Sequence, residues 1–378
     1  MSYQMNNTDE ISCFVCTTPF QIITAINLTR QRKMAADLYV VPQFSGAVDL
    51  SESIARMEIF RHVIYVDTEQ IEKYKRSKNK MVLHLGIAWN YLKISSVVSG
   101  FLLEDELYSK IYISSKANIG RLVTLYYIKK GIQFEIIYFD DGESSYDNEI
   151  ITTPSNADFY LRRVLFGRKA IKPVSKFLLY SPVMFKELNP GSTVNIEQLP
   201  AIQQDYETRK IYNDIFNVQF DDLIAERVVI LDIIKSENLI SSEDELWNQY
   251  KCIADFFGQE NTIIKKHPRD KSRVVDFFNY YRKNGIPFEI ILLNQDLTDK
   301  VLVTVSSTAI TVPKLLFNVE PIVIYLGNMI KTKQGKSGKV LEYYRACKKL
   351  YKNPDRFIIP ESVDDLKDSL LKIKEKLK

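Results

Sequence analysis

The sequence predicts an α/β protein built from two Rossmann-type domains in succession. Three observations carry this. A chain of 378 residues is too long for one ordinary core and suits two of similar size. Short apolar runs alternate with helical patterns through the first half, and a second alternating set fills the other. Between them, from Asn189 to Asp222, the texture turns polar and is broken by Pro190, Gly191 and Pro200.

Taken in order, Ile11–Cys16 reads as a strand and Pro19–Lys33 as the helix after it. Asp37–Val41, His62–Asp67, Leu107–Ser114 and Phe134–Phe139 are further strands, with a helix over Ala117–Lys130 stopped by Gly131. The second set reads Arg227–Ile234 strand, Glu243–Phe257 helix, Asn261–Lys266 strand and Lys271–Lys283 helix. Strands over Glu289–Leu293, Val301–Val305 and Pro321–Tyr325 follow, and Val363–Lys378 closes the chain as a Lys-rich amphipathic helix. The expected division is 1–205 for the first domain, 206–225 for a linker, 226–360 for the second domain and 361–378 for the closing helix.

Composition narrows the function classes. With 46% hydrophobic and 26% charged residues the chain is globular, and a net charge of +4 is too weak to argue for nucleic acid. Cys13 and Cys16 form a C-x-x-C, but a spacing of three on a strand sends the side chains to opposite faces, so they cannot share a metal. Buried thiols in a reducing compartment are the expectation. Met1–Glu10 lacks a signal-peptide pattern, and no apolar run reaches the roughly 20 residues that span a bilayer. The expected location is the cytoplasm. No G-x-G-x-x-G and no metal-ligand spacing are present, so neither a dinucleotide nor a metal is expected.

Four segments could carry chemistry, and each follows a strand, the ligand-binding edge of such sheets. Asp140-Asp141-Gly142 places two carboxylates after an apolar strand; one can accept a proton from a hydroxyl, and the other would raise its pKa. The plain alternative is an Asp-Gly turn. Lys265-Lys266-His267-Pro268-Arg269 places an imidazole among cations, suited to a departing phosphate, or else is a solvated basic turn. Ser306-Ser307-Thr308 offers hydroxyls where a strand passes into a helix, as an anion cradle or as simple N-caps. Thr17-Thr18-Pro19-Phe20-Gln21 is a standard helix start that could also line a sugar site with Thr17, Thr18 and Gln21. Together they provide a base in one half, with an acid and a phosphate cradle in the other. That is the division of labour expected for sugar transfer from a nucleotide donor.

The motifs resemble those of bacterial sialyltransferases. Asp140-Asp141-Gly142 is similar to their acidic-acidic-glycine motif, His267-Pro268 to their HP motif and Ser306-Ser307 to their serine motif. The stretches Phe14–Gln21 and Ser236–Glu245 resemble segments of the lipooligosaccharide and capsule sialyltransferases, glycosyltransferase family 52. The resemblance implies a GT-B-like fold, with two Rossmann-type domains facing each other across a cleft. It implies CMP-sialic acid as donor, a terminal galactose as acceptor, a 2,3 linkage, inversion and neither cofactor nor metal. By position, Asp140 or Asp141 becomes the base and His267 the acid or electrostatic partner of the CMP phosphate. Ser306, Ser307 and Thr308 then bind that phosphate, with Pro268, Lys265, Thr18 and Gln21 completing the donor site.

One departure bears on the base. Where the family often has a Gln-Pro-Leu-like turn, this chain reads Asp232-Ile-Ile-Lys235, so Asp232, Glu237, Glu243 and Asp244 stay in reserve. Ser241 or Ser242 capping a helix is the plainer account of Glu243–Glu245. A teichoic-acid-type CDP-alcohol phosphotransferase and a non-catalytic glycan-binding protein are the competing readings. The tail 363–378 permits membrane-surface attachment, against a closing helix packed back across the other domain.

Overall fold

The computed structural model of the chain describes residues 10–103, 106–114, 118–147, 156–167, 172–219, 223–233, 242–267, 270, 274–283, 285–330 and 337–376. Pro268, Arg269, Glu237 and most of the Ser236–Glu245 segment lie outside the described residues. The chain divides into two compact units. Unit 1 is Met1–Pro182 with Gly191–Pro200, and unit 2 is Val183–Pro190 with Ala201–Lys378.

Unit 1 runs β1 (Ser12–Cys16), α1 (Pro19–Arg32), β2 (Ala36–Val40), α2 (Ala47–Arg56), β3 (Val63–Tyr65), α3 (Lys80–Leu92) and α4 (Ile94–Ser99). It continues β4 (Lys110–Ile113), α5 (Asn118–Lys130), β5 (Glu135–Phe139), α6 (Asn156–Phe166) and β6 (Lys176–Leu179); α7 (Pro182–Leu188), which belongs to unit 2 from Val183 on, intervenes before β7 (Ile196–Gln198). The seven strands pair in parallel in the order β3-β2-β1-β4-β5-β6-β7. Period two is visible in β1. Cys13 and Val15 enter a core with Tyr39, Ile111 and Leu122, while Phe14 stacks on Tyr112 at 4.3 Å and meets Phe139 edge-on. The two thiols therefore point to opposite faces. Both are buried and free, and burial raises their pKa.

Unit 2 runs α8 (Tyr206–Phe216), β8 (Val228–Leu231), α9 (Glu243–Phe257), β9 (Thr262–Lys265), β10 (Asn279–Tyr280), α10 (Phe288–Leu293) and β11 (Val301–Thr304). It ends α11 (Val312–Phe317), β12 (Ile322–Tyr325), α12 (Ser337–Lys349), β13 (Phe357–Ile358) and α13 (Val363–Lys376). Its six parallel strands are ordered β10-β9-β8-β11-β12-β13. Counted from β8, that is the Rossmann order 3-2-1-4-5-6, and the first six strands of unit 1 repeat it. Both units are doubly wound α/β domains, as expected of a GT-B-like chain.

Four expectations need correction. The stretch 206–225 is not a bare linker. Asp205 caps α8 by accepting from Thr208 N at 2.8 Å, the helix buries Tyr212 and Ile215, and Asn213 and Asn294 exchange hydrogen bonds. The helix expected over Lys271–Lys283 contains β10, whose Asn279 and Tyr280 pair with Ile263 and Ile264. Glu289–Leu293, read as a strand, is inside helix α10; a short apolar run fits either form. The tail helix α13 packs on its own unit. Leu366, Leu370 and Ile373 enter the core of unit 2 itself, so its apolar stripe is not free for a lipid surface. Among the described residues no helix is long and apolar enough to cross a membrane.

Candidate active site

In unit 1 the ends of β1 and β5 flank the end of β4. Thr18 caps α1 by accepting from Gln21 N at 3.3 Å, with Pro19 in the first turn, so the predicted helix start is real. Gln21 Oε1 accepts from Thr17 N at 2.6 Å and from Thr17 Oγ1 at 3.1 Å. Its Nε2 is buried without a hydrogen-bond partner, yet the amide is near enough to Asp141 to lower that carboxyl's pKa.

The two aspartates after β5 are not equivalent. Asp140 is 1% exposed and both its oxygens are taken: Oδ1 accepts from Gly142 N at 2.9 Å, and Oδ2 from Tyr146 OH at 2.7 Å and Tyr180 N at 3.1 Å. Burial lifts its pKa to about 6 against the pull of these donors. Asp141 is half-buried. Burial pushes it up to about 7, with Asp140 adding to the rise and Gln21 and Thr18 opposing it. Its backbone N–H donates to Ser145 Oγ at 2.7 Å, which fixes the turn without using the carboxylate. Asp140 thus holds the turn, and Asp141 keeps a carboxylate poised near neutrality, as a general base requires.

Gly142 makes this turn possible. Its φ of 86° and ψ of −149° lie in a region that essentially only glycine occupies. Gly142→Ala is expected to destabilise the protein by about 1–3 kcal/mol, read by thermal denaturation. An unchanged melting temperature would show that the turn relaxes freely. Ser114, which the sequence marks only as a strand end, follows β4 between Thr18 and Asp141; it is buried, and among the described residues its Oγ has no partner.

In unit 2, β8 lies between β9 and β11, which places the turn at His267 and the hydroxyls at Ser306 two strand spacings apart, about 10 Å. Lys265 is 5% exposed at the end of β9, with Nζ 5.1 Å from the centre of the Tyr281 ring. Burial lowers its pKa to about 8, partly offset by Glu289, whose own carboxyl burial pushes up. Lys266 Nζ lies 3.5 Å from Asp270 Oδ2, and the carbonyl of half-buried His267 accepts from Asp270 N at 2.8 Å, closing the turn.

After β11, Thr304 Oγ1 donates to Leu231 O at 2.7 Å and accepts from Ser307 N at 3.0 Å. Ser307 begins the 3-10 turn Thr308–Thr311 without a side-chain capping bond. Capping is therefore not what its hydroxyl does. Ser306, Ser307 and Thr308 are all half-buried. Gly327, missed in the sequence, sits beside them: a Cβ there would lie 2.2 Å from the Val305 carbonyl oxygen, so only glycine permits the approach.

The reserve bases fare less well. Asp232 is 2% exposed, and its Oδ1 accepts from Ile233 N at 3.0 Å and Tyr250 OH at 3.3 Å. Glu243 and Asp244 are exposed in the first turn of α9, where Ser242 accepts from Glu245 N at 3.2 Å. That is the helix start which the plainer reading expected.

One group of metal-ligating residue types emerges that no spacing revealed: Asp37, His62 and Glu106, with ligand atoms within 4.8 Å of one another. It lies toward the amino end of β2, away from Asp141. Asp37 already accepts from Tyr108 OH at 2.7 Å and His62 N at 3.1 Å, and Arg61 pairs with Glu106 and lies 3.9 Å from Asp37. The guanidinium supplies the positive charge, which makes this an ion-pair network.

No family model matches the chain, and no curated protein matches it. Among solved structures it is similar to a UDP-glucosyltransferase from Polygonum tinctorium capable of glucosylating indoxyl, with TM-score 0.48, 10% identity, and 99% of this chain and 95% of that one covered. It is similar also to Arabidopsis thaliana UGT89C1 complexed with UDP-L-rhamnose (TM-score 0.47, 11% identity, 98% and 94% covered). A UDP-N-acetylglucosamine 2-epimerase gives TM-score 0.46 at 11% identity, with 98% and 95% covered. Similarity of this size fixes neither substrate nor reaction.

Proposed function

We propose that the protein is a glycosyltransferase that moves sialic acid from CMP-sialic acid to a terminal galactose hydroxyl of a surface glycan, with inversion. The observation that carries sugar transfer is Asp141, a strand-end carboxylate raised to about 7 beside Thr18 and Gln21. Asp140 beside it is fully occupied in holding the turn. The choice of CMP-sialic acid rests on the sequence motifs at 140–142, 267–268 and 306–307.

In this reading Asp141 takes the proton of the acceptor hydroxyl as its oxygen attacks the anomeric carbon. The bond from that carbon to the phosphate oxygen breaks, and CMP departs with the electron pair as a phosphate monoester. His267, Lys265 and the hydroxyls of Ser306, Ser307 and Thr308 meet the charge on the departing phosphate, so the step needs no divalent cation. The transition state has oxocarbenium character, which a nearby carboxylate also stabilises.

The test is incubation with lactose and, in separate reactions, CMP-sialic acid, UDP-glucose and CDP-glycerol, in the presence of a chelator. CMP release with formation of sialyl-lactose is the expected result. Turnover of UDP-glucose alone would overturn the donor while leaving the base in place. Turnover of CDP-glycerol alone would replace sugar transfer with phosphotransfer.

A further inference from the structure

Helix α3 differs from α2 in what it exposes. In α2 the buried set is Ala47, Leu50, Ser51 and Ile54, an ordinary inward stripe. In α3 the inward side is held by Asn90 and Tyr91, yet Met81, Leu85, Trp89 and Leu92 are 69%, 63%, 57% and 60% exposed. These four recur at spacings of four, four and three, so they form one outward row about 16 Å long at 1.5 Å per residue. A single exposed leucine needs no explanation, but a row with a tryptophan in it does.

The charges around the row are mostly positive, and Glu72, just before them, pairs with Lys75. Residues 73–103 contain Lys73, Lys75, Arg76, Lys78, Lys80 and Lys93 and no aspartate or glutamate. Lys73, Lys75, Lys78 and Lys93 are exposed, so cations stand before the helix and at its end. Lys93 Nζ lies 4.3 Å from the centre of the Trp89 ring, with its stem along the apolar row and its charge at the rim.

We propose that this face of α3 seats on an anionic lipid surface. An apolar row that includes a tryptophan, bordered by lysines of which, among the described residues, only Lys75 is paired to a neighbouring carboxylate, Glu72, is the chemistry of an interfacial helix. The same charges argue against a second copy as the occupant. A two-fold contact would set like-charged borders against each other. The inference is independent of which sugar the protein moves. It also relocates the lipid contact that the sequence had offered to the tail, whose apolar stripe is buried.

Flotation of the intact protein with extruded phosphatidylcholine vesicles, with and without about 30 mol % phosphatidylglycerol, tests it. Binding is expected only to the anionic vesicles and to weaken as salt is raised. It is expected to fall at least about tenfold in the double variant Leu85→Gln/Trp89→Gln and in Lys73→Gln/Lys75→Gln/Lys78→Gln. The chain has two tryptophans. A blue shift of emission on vesicle addition, lost in Trp89→Phe, places that residue at the surface. Lys367→Gln/Lys372→Gln on α13 is expected to bind as the parent does. Equal binding to neutral vesicles, no binding to either, or binding unchanged in both α3 variants would overturn the proposal. So would a dimer in light scattering that the Leu85/Trp89 variant abolishes.

Discussion

Asp141→Asn loses sugar transfer by about 10²- to 10⁴-fold in turnover, while the acceptor KM changes little, because the amide keeps the shape and loses only the basicity. Activity of the parent rises with pH through about 7 as the carboxyl gives up its proton, and this limb is absent from the variant. Asp140 titrates beside it, so the profile reports the pair. Turnover within a few-fold of the parent would remove Asp141 as the base.

The same substitution has the opposite effect on stability. The Asp141 pKa of about 7 in the folded state lies above the reference value of 3.8. The folded protein therefore holds a proton that the unfolded chain releases between about pH 4 and pH 7, and stability falls as pH rises through that window. Above it the cost of the buried charge is complete, on the order of 4 kcal/mol before solvent screening of this half-buried group. Asp141→Asn is thus expected to melt higher than the parent at pH 8 and alike below pH 4. Asp140→Asn behaves differently. An amide nitrogen set against the Tyr180 N–H or the Gly142 N–H leaves a buried donor unpaired, at about 1–3 kcal/mol, with a lower melting temperature. This divergence between neighbouring aspartates separates a base from a structural anchor.

His267→Ala lowers kcat by about 10²- to 10³-fold if the imidazole stabilises charge on the departing phosphate. Such an interaction forms only in the transition state, so kcat and kcat/KM fall together. Ser306→Ala/Ser307→Ala, in contrast, raises the donor KM, since both hydroxyls bind phosphate that is present from the start. A His267→Ala variant with normal kcat and a raised donor KM would reduce the histidine to a binding group. His267 is half-buried in a turn closed by Asp270 N, so circular dichroism is expected to be unchanged and the kinetic loss to be readable.

Most strands and the main helices of both units were legible because their signals are local. The apolar run of β1, the Thr18–Pro19 start of α1 and the Ser242 cap of α9 each need only a few consecutive residues. Legibility failed where short runs are ambiguous. Phe288–Leu293 is apolar in a way that suits strand or helix, and Asn279–Tyr280 becomes a strand only because β9 lies beside it. At the candidate site, Asp140, Asp141, His267, Ser306 and Ser307 could be named from their places after strands. Gly327 could not, since its constraint comes from the Val305 carbonyl of another strand end. Ser114 carried no signal beyond ending a strand.

By itself the sequence determined that the chain alternates strand and helix twice and which residues follow the strands, because periodicity, turn residues and caps act over a few positions. Only the tertiary structure gave Asp140 and Asp141 different surroundings. The donors that saturate Asp140 include Tyr180, 40 residues away, and the residues that tune Asp141 include Thr18 and Gln21, more than a hundred positions earlier. Tertiary structure likewise buried the stripe of α13 and left that of α3 exposed. A pKa and an exposure are properties of the surroundings, and folding supplies the surroundings.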